Sequence, residues 1–292
     1  MIHQLNLYGR DKVEQAIQRL KDFEPPEGYY LAFSGGKDSV VVKALADMAG
    51  VKYDAHYNVT TVDPPELVQF VKEHKDVQMD KQYYPDTISD EKLRGKAITM
   101  WNLIPFKKRP PTMTVRYCCA FLKEGSGAGR FVVTGVRWAE SSRRKNNRGG
   151  LELSDSDKYG TRELLDPDNP DQQLIHICPT KAQRILNPIV DWSTAEVWEF
   201  IHEYKVPYCR LYDEGYSRLG CIGCPMAGVE RQKAEFKRYP KFYQAYLRAF
   251  DRILKEREAK GLEMRWKTPQ QVMDWWLFEE KDAEEYEGIE YE

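Results

Sequence analysis

Apolar and polar positions alternate with helical period from about Arg10 to Phe23, and this spacing predicts an amphipathic helix. The run Tyr29 to Phe33 is short and β-prone, two glycines follow it, and Val40 to Met48 is apolar at helical spacing. A strand, a glycine turn and a helix are therefore expected in succession. Further β-prone stretches precede Thr60 and Thr134, a helix is expected after Trp192, and strand and helix segments alternate through Tyr204. That alternation predicts an α/β fold: a doubly wound, mostly parallel sheet flanked by helices. Ser154 to Asp171 is polar and reads as a surface loop. From Glu230 onward the pattern is helical, with Phe236, Tyr239, Phe242, Tyr243, Tyr246 and Phe250 mostly at steps of three and four. These aromatics read as core contacts rather than a base-stacking surface, and Trp266, Trp275, Trp276 and Phe278 are expected to close the helical extension onto the sheet. The division expected is 1–226 for the α/β domain with its N-terminal helix and 227–292 for a helical C-terminal extension, with a solvated acidic tail from Asp282.

Composition narrows the class. The chain has 292 residues and a formal net charge of −2, so nothing pulls it globally toward nucleic acid and any such contact must be local. No apolar run approaches a membrane span, and Met1 to Arg10 lacks a basic head followed by an apolar stretch. A cytoplasmic protein with no membrane partner is the expectation. Cys118-Cys119 is an adjacent pair, Cys221 and Cys224 form a CxxC before Pro225, Cys209 lies just upstream, and Cys178 stands apart as a small buried residue. Without an export signal, CxxC reads as a metal, cluster or redox motif. Four thiolates are the complement of a [4Fe–4S] cluster. Zinc can use the same four, although adjacent cysteines are awkward for a tetrahedral knuckle.

The chemistry concentrates at Leu31 to Ser39, LAFSGGKDS. Gly35 and Gly36 remove Cβ atoms that would keep a phosphate from the backbone. The first turn of the following helix adds unsatisfied N–H donors, the hydroxyls of Ser34 and Ser39 can complete a cradle, and Lys37 supplies a fixed positive charge. The spacing is not that of a Walker A loop. Ligands of such sheets sit at the carboxyl ends of strands, which puts this turn, the Thr60 to Glu66 loop and the Gly135 to Arg144 loop on one rim.

SGGKDS resembles the signature of the ATP-pyrophosphatase, or adenine nucleotide α-hydrolase, superfamily. With Thr60-Thr61-Val62-Asp63-Pro64-Pro65-Glu66, Thr134-Gly135-Val136-Arg137, Glu140-Ser141-Ser142-Arg143-Arg144 and Asn187-Pro188-Ile189-Val190-Asp191-Trp192, it resembles the phosphoadenylyl-sulfate (PAPS) reductase family over about Tyr29 to Met226. The resemblance implies a Rossmann-like fold and ATP cleavage to AMP and pyrophosphate. Ser34, Gly35, Gly36, Lys37 and Ser39 would hold the β and γ phosphates, with Asp38 at Mg²⁺ and Arg137 and Arg144 at the α phosphate. Gly135 would line the pocket, and Thr60 and Asp63 would read the adenosine. Cys118, Cys119, Cys221 and Cys224 resemble the cluster ligands of assimilatory adenylyl-sulfate reductases. The run Cys209 to Pro225 also looks like that of DNA phosphorothioation proteins, which makes Cys209 an alternative ligand.

The nucleophilic tail cysteine of sulfonucleotide reductases has no counterpart after Cys224. An adenylating enzyme with an iron–sulfur cluster is therefore the first expectation, transferring sulfur to nucleic acid as in DNA phosphorothioation or tRNA thiolation. A cysteine desulfurase or another sulfur donor would be its partner. Sulfonucleotide reductase and a non-catalytic nucleotide-binding subunit are the alternatives. Lys107-Lys108-Arg109 beside Phe106, Arg116 beside Tyr117, and Arg143, Arg144, Lys145 and Arg148 are candidates for a basic rim.

Overall fold

The computed structural model describes residues 2–5, 9–124, 126–154, 163–168, 183–262 and 265–279. Cys178, most of the polar stretch from Ser154 to Asp171 and the acidic tail lie outside them. Two compact units divide the chain: Met1–Asn58, Pro65–Asp80 and Ser126–Leu219 form the first, and Val59–Pro64, Lys81–Gly125 and Gly220–Glu292 the second.

The first unit is built on a sheet of strands β1 (Tyr29–Ala32), β2 (Tyr53–Asn58), β3 (Val77–Asp80), β4 (Phe131–Val133), β5 (Leu151–Ser154), β6 (Glu163–Leu165) and β7 (Gln183–Leu186). Their order is β3-β2-β1-β4-β7-β5-β6. From β3 to β7 the neighbours are parallel, and β5 and β6 add an antiparallel edge. The doubly wound, mostly parallel sheet is as expected. Glu163–Leu165, read from sequence as loop, instead pairs with Leu151–Leu153 as the edge strand. Three residues are too few for an alternation to register.

Helix α1 (Lys12–Asp22) starts at a capping box in which Asp11 accepts from the Glu14 N–H and the Glu14 side chain returns to Asp11 N–H. It packs against α2 (Lys37–Ala49), as does α7 (Thr194–Glu203). Strand order reverses between β1 and β4, so the segments leaving these two strands meet at the topological switch point.

His3 ties the N-terminal segment down, with Nδ1 at 2.7 Å from Asp11 and Nε2 at 2.9 Å from Glu203. These hydrogen bonds, to Asp11 first and then Glu203, raise its pKa. The protonated form is thus the one favoured in the folded state. The tie is fully present below the ordinary histidine pKa of about 6.5 and is lost as pH rises through the raised value. Melting temperatures of the parent and His3→Gln are expected to differ at pH 5.5 and to converge by pH 8.5; a pH-independent difference would contradict the tie.

The second unit has its own core. Helices α4 (Met100–Lys107), α5 (Tyr117–Leu122), α8 (Val229–Arg238), α9 (Pro240–Glu258) and α10 (Pro269–Asp274) contribute Leu103, Ile104, Leu122, Phe236, Tyr246, Phe250, Ile253 and Val272, all buried. The aromatics of the extension are core residues, as expected. Trp275 and Trp276, expected to close onto the sheet, belong to this separate core, where Trp276 Nε1 donates to Pro111 O at 2.6 Å. Phe278 is exposed. The compact division therefore does not fall at Met226, because residues 81–125 fold with the C-terminal helices.

Candidate functional site

Phe33, Ser34, Gly35 and Gly36 form the whole connection between β1 and α2. Gly35 has φ of 70°, and a Cβ there would lie 2.7 Å from Leu67 and 2.9 Å from Val71 of α3 (Pro65–Glu73). Backbone conformation and packing both require glycine at this position. Gly36 serves access instead. It is extended, and its Cβ would meet only Ser34 Oγ at 3.4 Å and Tyr212 Oη at 3.5 Å. Ser39 Oγ accepts from the Ser34 N–H at 3.2 Å and donates to Gly36 O at 2.9 Å, so this hydroxyl braces the turn.

The turn ends in a chain of charges. Lys37 Nζ lies 3.2 Å from Asp38 Oδ2, and Arg137 Nε lies 2.7 Å from Asp38 Oδ1. Arg137, expected at the α phosphate, is 1% exposed, and its Nη1 donates to Trp192 O at 3.1 Å. Its guanidinium therefore holds Asp38 rather than facing a ligand. Both Asp38 oxygens are engaged by cations, so this carboxylate fits an anchor for Lys37 better than a direct Mg²⁺ ligand. Gly135 lets β4's exit pass close, since a Cβ there would lie 2.9 Å from the backbone C and O of Asp38. The two switch-point loops are interlocked.

Arg144 lies in α6 (Ser142–Asn147), capped by Ser141, and pairs with Glu140. Burial lowers its pKa, and the like charges of Arg218 and Arg148 lower it further. Arg144 thus feels guanidinium groups from a distant segment as well as its own, with Asp38 opposing them, a potential suited to a polyanion. Sequence reasoning missed Arg218 and Tyr212. The only signal was their place in the Cys209 to Pro225 run, which was read for its thiols alone. Of the other rim candidates, Arg148 Nε pairs with Glu152 at 2.6 Å, and Lys107 in the second unit lies over the Phe121 ring at 4.5 Å.

In the second unit α5 presents Cys118 and Cys119, and Cys221 and Cys224 flank the turn before Pro225–Ala227. In the first pair the interaction with Cys119 and burial raise Cys118, while Cys118, Lys123 and Arg116 lower Cys119 and favour its thiolate. Repulsion from Cys221 and Cys224 adds to the rise at Cys118, so the four sulfurs sense one another. Burial pushes Cys221 up to about 12 against the pull of Lys123. Lys123 itself is raised, chiefly by Cys221. Thr60 and Asp63, expected at the adenosine, join this group: Thr60 Oγ1 donates to Asp63 Oδ2 at 2.6 Å, and both act on Cys221. Cys209 lies in the first unit, is 1% exposed, and has Glu66, Arg210 and Glu214 as its charged neighbours. Among the described residues no three His, Cys, Asp or Glu side chains are gathered to hold a single metal ion. A cubane cluster spreads its thiolates over separate irons, and four thiols beside two cations suit that anionic donor set.

Residues 28–227 match the family model for the phosphoadenosine phosphosulfate reductase domain. The chain belongs to that family. Among relatives of this family member, an uncharacterized protein of Methanocaldococcus jannaschii is 28% identical over 229 residues, covering 77% of this chain and 47% of that one. An adenosine 5'-phosphosulfate reductase of Staphylococcus haemolyticus is 22% identical over 203 residues, covering 69% of each chain. A probable FAD synthase of Caenorhabditis elegans is 25% identical over 224 residues, covering 72% of this chain and 32% of that one. The chain spans about half the length, or less, of several curated relatives it matches. Crystalline PAPS reductase from Candida auris is 17% identical with a TM-score of 0.42, covering 71% of this chain and 87% of that one. Among the described residues no helix is long and apolar enough to cross a membrane.

Proposed function

We propose that the chain binds ATP at the Ser34–Ser39 turn and cleaves it between the α and β phosphates, adenylating an acceptor. The carrying observation is the Lys37–Asp38–Arg137 chain at the switch point, a positive group fixed from behind at the start of a helix. The first-turn N–H groups of α2 and the Lys37 ammonium would stabilise charge that grows on the departing pyrophosphate as the α,β bond breaks. Pyrophosphate leaves with the electron pair, and the adenylyl group passes to an acceptor oxygen or to water. Arg144, with Arg218 beside it, would offer its fork to phosphate oxygens, while Asp38 and Arg137 set where Lys37 stands. Mg²⁺ would arrive with the nucleotide.

Cys118, Cys119, Cys221 and Cys224 would hold a [4Fe–4S] cluster. When bound, it would supply electrons or sulfide for replacing an activated oxygen by sulfur, on nucleic acid or on a carrier fed by a sulfur donor. The similarity to adenosine 5'-phosphosulfate reductases supports a second reading, reduction of a sulfonucleotide at the same turn.

Lys37→Ala is expected to lower ATP turnover by about 100-fold or more. Arg144→Ala is expected to raise KM about tenfold while leaving the melting temperature near the parent's, because Arg144 is partly exposed. Steady-state rates and thermal melts check both. Thiol-dependent sulfite release from adenylyl sulfate, without ATP cleavage, would replace the first reading by the second.

A further inference from the structure

Tyr212 stands at the nucleotide turn without having been marked by any motif. It closes the short helical turn Arg210–Tyr212, and its ring is held edge-on by Trp198 of α7 at 5.1 Å, with Tyr208 packed against the same Trp198 at 5.3 Å. Clamped there, the phenol oxygen accepts the Lys37 N–H at 2.9 Å, one of the first-turn donors of α2. The Lys37 ammonium lies 5.9 Å from the centre of the same ring.

Two hydroxyls flank the space that Gly36 leaves open: Ser34 Oγ at 3.4 Å and Tyr212 Oη at 3.5 Å from where a Cβ would be. Among the described residues no group accepts the Tyr212 proton. Burial pushes its pKa up to about 12, so the phenol keeps that proton near neutral pH. A phenol that accepts through its oxygen still has one O–H to donate.

We propose that Tyr212 is a nucleotide-contacting residue, donating its O–H to a phosphate oxygen seated over Gly36 while its own oxygen retains the Lys37 N–H. The ligand group is the pyrophosphate portion of the nucleotide, so the inference rests on the nucleotide reading given above. The aromatic clamp fixes the donor before the ligand arrives, which removes the ordering cost a mobile side chain would carry. The contact also holds the Lys37 N–H away from competing water.

Calorimetric titration of the full chain with inorganic pyrophosphate and with ATP tests this. Tyr212→Phe keeps the ring in the aromatic cluster and removes one oxygen. It is expected to weaken pyrophosphate and ATP binding about tenfold or more, the loss expected for one hydrogen bond to a charged group. Tyr208→Phe removes a hydroxyl from the same cluster, where Tyr208 donates to Asp213 at 2.9 Å, and is expected to stay within about twofold of the parent. Equal or tighter binding by Tyr212→Phe overturns the contact while the nucleotide reading stands. An equal loss in Tyr208→Phe also overturns it, by tracing the effect to the cluster rather than the hydroxyl. A parent that binds neither pyrophosphate nor ATP removes the nucleotide reading and this contact together.

Discussion

Arg137→Ala is expected to lose both activity and stability: turnover down by about 100-fold or more, and unfolding easier by about 3 kcal/mol. Arg137 is buried, with Asp38 and the Trp192 carbonyl as its partners, and Asp38 in turn holds the Lys37 ammonium. Deleting the guanidinium leaves a mostly buried carboxylate facing a cavity, and Lys37 loses its backstop. Arg137→Lys keeps the charge but lacks the fork that spans Asp38 and Trp192, so an intermediate loss is expected. Asp38→Ala should resemble Arg137→Ala in stability, since it strands the buried arginine. Urea unfolding beside initial rates separates these variants from Arg144→Ala, whose effect is confined to ligand binding. If Arg137→Ala unfolds like the parent and turns over normally, the positioning role is wrong.

The second large effect belongs to the thiols. After anaerobic purification, Cys221→Ser and Cys119→Ser are each expected to lose nearly all of the iron and acid-labile sulfide that the parent carries, about four of each per chain for a cubane. Cys209→Ser should retain them, because the buried Cys209 has Glu66, Arg210 and Glu214 as its charged neighbours. Metal and sulfide analysis decides the point. Loss of iron in Cys209→Ser with retention in Cys119→Ser would move the ligand set to the alternative thiol, and zinc without sulfide in the parent would sink the cluster.

The glycine turn was legible because everything it needs is local: an apolar strand, two glycines and a helical period within some twenty residues. The direction in which Arg137 points was not. A motif names the residue type, whereas its burial follows from Gly135 passing against Asp38. Tyr212 was invisible because its contact with Lys37 spans 175 positions. Thr60 and Asp63 were read with the first rim by strand order, yet their chain segment folds with the thiols. The second unit escaped for a related reason. Its core joins residues 81–125 to helices far along the chain, and no periodicity reports such long-range pairing.

The central claim is cleavage between the α and β phosphates. Incubating the purified chain anaerobically with Mg²⁺ and α-labelled ATP, with and without nucleic acid, and resolving AMP from ADP while assaying pyrophosphate, tests it directly. AMP with matching pyrophosphate, absent in Lys37→Ala, is the expected result. ADP with phosphate, or no turnover alongside sulfite release from adenylyl sulfate, would contradict it.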